Sequence, residues 1–178
     1  QEDEGPVQAS ATIATSSSMA LAQGDNNKIT YHLPAMGGLT AGVSHYDSGA
    51  TGASAATSMG AKYSLEAAGA AITLGYATST TDNSTQDIDS STMGMKIVSG
   101  DISMIISQGT YEASGEDHDN MGASISYKIS DVMTIGAYTL DSEDDSVAGE
   151  EYARSGAEVA YTIASGLTAV LNVDDYDY

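Results

Sequence analysis

The chain has 178 residues, with 25 Asp and Glu against 5 Lys and Arg, for a formal net charge of −20 at pH 7. That balance excludes nucleic acid as a partner, because no basic patch exists to displace counterions from phosphates. There is no Cys, Phe or Trp, and 11 Tyr and 8 Met are the main bulky residues, so a disulfide framework and a thiolate metal site are excluded and material for a large soluble core is short. No stretch approaches 18 consecutive apolar residues, so no transmembrane helix is predicted. No signal peptide opens the chain, and Gln1 reads as an interior or processed start.

Residues 1–27 are acidic and then small and polar, "QEDEGPVQ" followed by "ASATIATSSSMALAQGDNN". They read as a long loop with one short helical turn around Ser17 to Gln23. From Lys28 onward the hydrophobic period is two, the signature of strands. Ten strands are predicted, at about 28–33, 39–46, 55–65, 70–78, 92–98, 102–113, 120–129, 132–141, 152–163 and 167–176. Tight links alternate with long ones. The tight ones are "PAMGG", "EAAG", "SGD", "SD" and "ASG"; the long ones are "DSGATGAS", "STTDNSTQDIDSS", "SGEDHD" and "SEDDSVAGEE". Of the acids, only Glu66, Asp101 and Asp131 fall in tight turns, so negative charge gathers at one end of the array.

An aromatic-x-aliphatic triplet precedes most tight turns: Tyr31-His32-Leu33, Tyr63-Ser64-Leu65, Tyr127-Lys128-Ile129 and Tyr161-Thr162-Ile163, with Met95-Lys96-Ile97 in the remaining hairpin. The unit is a hairpin of about thirty residues, as in an up-and-down meander. Successive side chains point to opposite sides of a strand. The face of the triplet tyrosines is apolar and uncharged. The other face carries Gly, Ser and Thr, together with Lys28, Lys62, Lys96, Lys128 and Arg154, one cation on each odd-numbered strand. Ile105, Val132 and Leu140 interrupt the alternation.

Two architectures use such a pattern. One is a soluble sandwich or barrel with the apolar face as its core. The other is all-β and inverted: an antiparallel up-and-down transmembrane β-barrel with the apolar face in lipid and the polar face on a lumen. Three features favour the barrel. The strands have about the ~9–11 residues needed to cross a bilayer on a tilt. The polar face has no second apolar layer. The tyrosines sit at one fixed height beside the tight turns, as an interfacial girdle requires.

The stretches "NKITYHLPAMGGLTAGVSHY", "GASISYKISDVMTIGAYTLDSED" and "YARSGAEVAYTIASGLTAVLNVDDYDY" resemble the general porins of alphaproteobacterial outer membranes, with Gly-Leu or Gly-Gly-Leu after the turn. The resemblance covers 28–178. It implies a porin-like barrel of sixteen strands in the full protein, about ten of them here, in a homotrimer of the bacterial outer membrane. Residues 1–27 then correspond to the third outer loop, which folds into the lumen. Five strands precede Gln1 and one follows Tyr178, so the chain is read as a fragment or a partly determined sequence of a longer porin. The chain departs from the family in ending "NVDDYDY" without a terminal Phe strand, and in lacking Phe and Trp.

Such a protein is not an enzyme and needs no cofactor. It passes ions and small hydrophilic solutes and is bordered by outer-membrane lipid and lipopolysaccharide. Lys28, Lys62, Lys96, Lys128, Arg154 and Glu158 are then expected to line the pore, with Arg154 and Glu158 close enough in sequence to pair. Glu2, Asp3 and Glu4 are expected on the constricting loop, facing the cations across a wet gap. Tyr31, Tyr63, Tyr127 and Tyr161 form the expected girdle. Glu143, Asp144, Asp145 and Glu150 offer hard oxygen ligands for a weak Ca²⁺ site, although a solvated, self-repelling acidic rim is the preferred reading of these loops. His118 is read as a loop residue between two acids. The competing function is a secreted, acidic, β-rich structural or adhesive protein dependent on calcium. No nucleophile elbow G-x-S-x-G is present.

Overall fold

The computed structural model describes residues 28–47, 55–82, 87–113, 116–144 and 150–177. The expectations placed on 1–27, and most of the long links, lie outside the described residues. Ten strands form one antiparallel sheet in sequence order: β1 (Lys28–His32), β2 (Leu39–Asp47), β3 (Ala55–Ala67), β4 (Ala70–Asp82), β5 (Asp87–Ser99), β6 (Ile102–Ala113), β7 (Glu116–Ser130), β8 (Met133–Asp144), β9 (Glu150–Ala164) and β10 (Leu167–Asp177). Each strand pairs with its chain neighbours, and β1 and β10 do not pair with each other.

All ten expected strands are present, but several run further toward the long links. β4 continues to Asp82, β5 starts at Asp87, β7 starts at Glu116 and β8 reaches Asp144. The sequence hides these extensions because both faces are polar there: Thr78, Thr80 and Asp82 alternate with Ser79 and Thr81. Backbone pairing continues where hydrophobic alternation has stopped. His118, expected in a loop, lies within β7 for this reason.

The tight turns follow local backbone chemistry. Ala68 and Gly69 link β3 to β4, both with positive φ (51° and 80°), as a two-residue type I′ hairpin requires. Gly100 (φ 56°) opens the β5–β6 turn. The β7–β8 turn has no glycine and uses side chains instead. Lys128 Nζ donates to Asp131 Oδ1 at 2.8 Å, and the Val132 amide donates to Ser130 Oγ at 3.3 Å, beside a register shift at Lys128/Ser130. The ammonium of Lys128 holds the Asp131 carboxyl below the usual carboxylate range, first through this hydrogen bond and then through its charge.

The register fixes the slope of the sheet. Followed strand by strand from β2, Leu39 aligns with Ser155 on β9, and β9 runs nine residues further, to Ala164, before its tight turn. The turn-bearing end therefore advances about 1.3 residues per strand. With ~3.4 Å per residue and ~4.8 Å between strands, the strands lean about 40° from the axis, within the tilt of membrane barrels. The same path aligns Tyr31 with Glu151, ten residues short of Tyr161. The triplet tyrosines thus follow the slope of the turns and stand close to one height.

Burial shows which way the sheet curls. The buried side chains Ser44, Tyr46, Ala56, Tyr138 and Glu158 share the face of the cations. The exposed large apolar residues in strands share the other face, with Val170 and Tyr176 on the terminal strand as the exceptions. Ile125, Val159 and Met93 are 46%, 39% and 46% exposed. The polar face is therefore concave and the apolar face convex, the reverse of a soluble barrel. On β7 the convex apolar run spans Met121 to Ile129. That is roughly 27 Å of strand, or about 20 Å along the axis at this tilt, near the ~25 Å band of outer-membrane barrels.

The two faces should respond oppositely to charge. Met93→Arg places a cation mid-band on the convex face and should lower folding stability by about 2–4 kcal/mol. Thr92→Arg, one residue away on the concave face, should cost less than about 1 kcal/mol. Urea titration of folding into lipid vesicles measures both.

Candidate functional site

The concave wall is built from small residues. Gly42 and Gly60 pair with each other, as do Gly75 and Gly94. Hydroxyls bridge neighbouring strands: Thr30 Oγ1 to Ser44 Oγ at 3.1 Å, and Ser58 Oγ to Ser79 Oγ at 2.9 Å. Small side chains keep the wall thin while leaving it polar.

The five cations share this face, at different heights. Lys62 pairs in register with Thr40 and Gly75, Lys96 with Thr73 and Ile105, and Lys128 with Thr134; all three lie near the tight turns. Lys128 spends its ammonium on Asp131, the two side chains being 49% and 96% exposed. Lys28 is exposed at the start of β1. Arg154 stands seven residues from Tyr161 on β9, toward the long links. The cations are spread along the wall rather than gathered in one ring.

Arg154 is the centre of a cluster that the sequence did not reveal. Its Nη2 lies 3.3 Å from Asp174 Oδ2, and its guanidinium sits over the rings of Tyr138 (5.4 Å) and Tyr176 (5.2 Å). The Tyr138 hydroxyl donates to Asp174 Oδ1. Tyr138 on β8 and Asp174 on β10 both pair in register with Gly156 on β9, and they meet across it. A Cβ on Gly156 would lie 2.6 Å from the Tyr138 ring. The sequence suggested Glu158 as the partner of Arg154. Asp174 takes that place, because a cross-strand neighbour is nearer than a residue two positions on along the same face. Glu158 pairs in register with Gly136 and Asn172 and is 7% exposed.

Tyrosine divides between the two faces. Tyr31, Tyr63, Tyr127 and Tyr161 are 59%, 42%, 45% and 48% exposed on the convex face, and Tyr76 joins them there. Tyr46, Tyr111, Tyr138, Tyr152 and Tyr176 lie on the concave face. The four expected girdle tyrosines share the convex face, while five others place large rings on the concave face among its Gly, Ser and Thr. Parity along β8 and β10 held the signal; the pairing across Gly156 did not show without register.

Glu2, Asp3 and Glu4 lie outside the described residues, as does Asp145. Of the other calcium-ligand candidates, Asp144 and Glu150 are described by backbone alone, and Glu143 is exposed on β8. Among the described residues no three His, Asp or Glu side chains converge as for a metal ion.

With the inverted faces established, comparison with known proteins is decisive. The profile of the Gram-negative porin family matches residues 3–178. The chain belongs to the Gram-negative porin family. Membership places it in a bacterial outer membrane and is shared by the whole family; the alphaproteobacterial likeness rests on sequence phrasing alone. Comparison with curated protein sequences gives no match. Among solved structures, this porin chain is similar to a porin refined at 1.8 Å (17% identity, TM-score 0.67, 89% of this chain and 58% of that one). It is also similar to OccAB4 of Acinetobacter baumannii (8%, 0.68, 85% and 49%) and to OccK11 (OpdR) of Pseudomonas aeruginosa (8%, 0.67, 84% and 52%). These low identities speak for the barrel fold. The chain spans roughly half of each of those proteins.

Gly156→Ala in this porin should push Tyr138 and Asp174 apart and cost about 1–3 kcal/mol, the scale of overpacking. Equilibrium unfolding from lipid vesicles measures the loss. A neutral result would mean that the cluster shifts freely.

Proposed function

We propose that the protein is a passive diffusion channel for ions and small hydrophilic solutes across the outer membrane. The observation that carries this reading is the inversion of the sheet: a polar, cationic, concave wall behind an apolar convex face. A tilted sheet that turns Ser, Thr, Lys and Arg to its concave side while exposing Ile, Met and Val on its convex side makes sense when the inside is water and the outside is lipid. No step in the mechanism is chemical. The lumen sets a size limit, and its fixed charges weight which ions enter.

Closure by further strands to a sixteen-stranded barrel fits the slope and the share of the porin chain covered here. Assembly as a homotrimer follows the family resemblance. The lysines and Arg154 supply a cationic wall, and residues 1–27, with Glu2, Asp3 and Glu4, supply an opposing acidic loop. On the convex face above the apolar band, Asp119, Glu143 and Glu151 align across three strands. That height suits the lipopolysaccharide head groups, whose phosphates acidic residues meet through divalent cations.

The native protein, extracted in detergent and added to a planar bilayer, should give stepwise conductance increments. Replacing Lys62, Lys96 and Lys128 together by Glu should shift the reversal potential in a salt gradient toward cation preference. Absence of steps from correctly folded protein would reject the channel; an unmoved reversal potential would remove these lysines from the filter.

A further inference from the structure

Glu158 is the most buried charged side chain among the described residues, at 7% exposure, and its Oε2 has no hydrogen-bond partner. It belongs to a row in which Ser126, Gly136, Glu158 and Asn172 pair across four strands. Gly136 has no side chain, and a niche opens above it, lined by Ser124, Ser126, Gly136, Tyr138 and Glu158. The niche admits the centre of a water-sized sphere over about 10 Å³, room for one water or one small bare ion.

The charge around it does not balance. Arg154 is committed to Asp174 at 3.3 Å, and the Tyr138 hydroxyl donates to the same carboxylate. Lys128, two positions from Ser126 along β7, is bonded to Asp131 at 2.8 Å. Arg154 pairs with Asp174, so the Glu158 carboxyl, withdrawn from solvent, has no ion-pair partner among the described residues. A buried carboxylate requires pairing or neutralisation.

We infer that Glu158, with the hydroxyls of Ser124 and Ser126, forms a binding site for one monovalent metal cation, Na⁺ or K⁺, on the concave wall. One carboxylate matches a single charge, whereas Ca²⁺ sites draw on more carboxylates; lumen water would complete the shell of a monovalent ion. The binding site stands on this geometry; its effect on permeation rests on the channel reading. In a working pore the bound ion neutralises the wall beside Arg154 and exchanges with the lumen.

The test compares native protein and Glu158→Gln in detergent, at fixed pH and ionic strength, with NaCl or KCl replacing choline chloride. The native protein should gain a saturable rise in melting temperature with Na⁺ or K⁺, and the variant should lose that rise. Crystals of the native protein soaked in RbCl should show an anomalous peak beside the Glu158 carboxylate, a readout that needs no variant. Identical melting in choline and metal salts together with no Rb⁺ peak overturns the site: the niche then holds water, or Glu158 a proton. If the peak and the metal-dependent melting appear but no conductance is found, the cation site stands and the channel reading falls. Where the protein conducts, the cation-to-anion permeability ratio should fall about two-fold in Glu158→Gln.

Discussion

Backbone pairing is the constraint on which the rest of this structure depends. In a bilayer no water reaches the peptide groups, so each N–H and C=O must find its partner within the sheet. The eight inner strands meet that demand on both edges by pairing with their chain neighbours, and β1 and β10 on one edge each. Once the ladder carries the backbone, the side chains are free to invert the usual order. Ile125 and Val159 can face outward because lipid receives them. Ser44 and Glu158 can face inward because the concave side is polar.

The slope of that ladder organises the outward surface. An advance of about 1.3 residues per strand raises each hairpin relative to the last. A tyrosine just ahead of the turn in four of the hairpins therefore stays near one height while the register climbs. The same slope carries Asp119, Glu143 and Glu151 above the apolar band. Strand length above the band comes from paired polar residues such as Thr78 to Asp82, where both faces meet water.

The inner wall depends on residues that are small. Gly136 opens the niche beside Glu158, and Gly156 lets Tyr138 reach Asp174 from two strands away. Arg154 thereby lies between two rings and a carboxylate. Lys62 and Lys96 have no such frame. They sit among Thr and Gly near the tight turns, at a different height from Arg154. A net charge of −20 thus coexists with a wall whose basic groups are all on one face, because the acids gather mainly at the long-link ends.

By itself, the sequence determined the strands, their order of tight and long connections, and the face of each cation. Those features depend on a period of two and on turn residues such as Ala68-Gly69, which act locally. The inversion was also legible, because one face carries no charge across its apolar band while the chain lacks Phe and Trp for a core. Tertiary structure alone decided which polar residues meet. Tyr138, Gly156 and Asp174 lie on three strands and share a row only through register, which is set by pairing over the whole sheet. Arg154 and Glu158 look like partners along β9, yet the space across Gly156 brings Asp174 closer, and Glu158 is left facing its own niche.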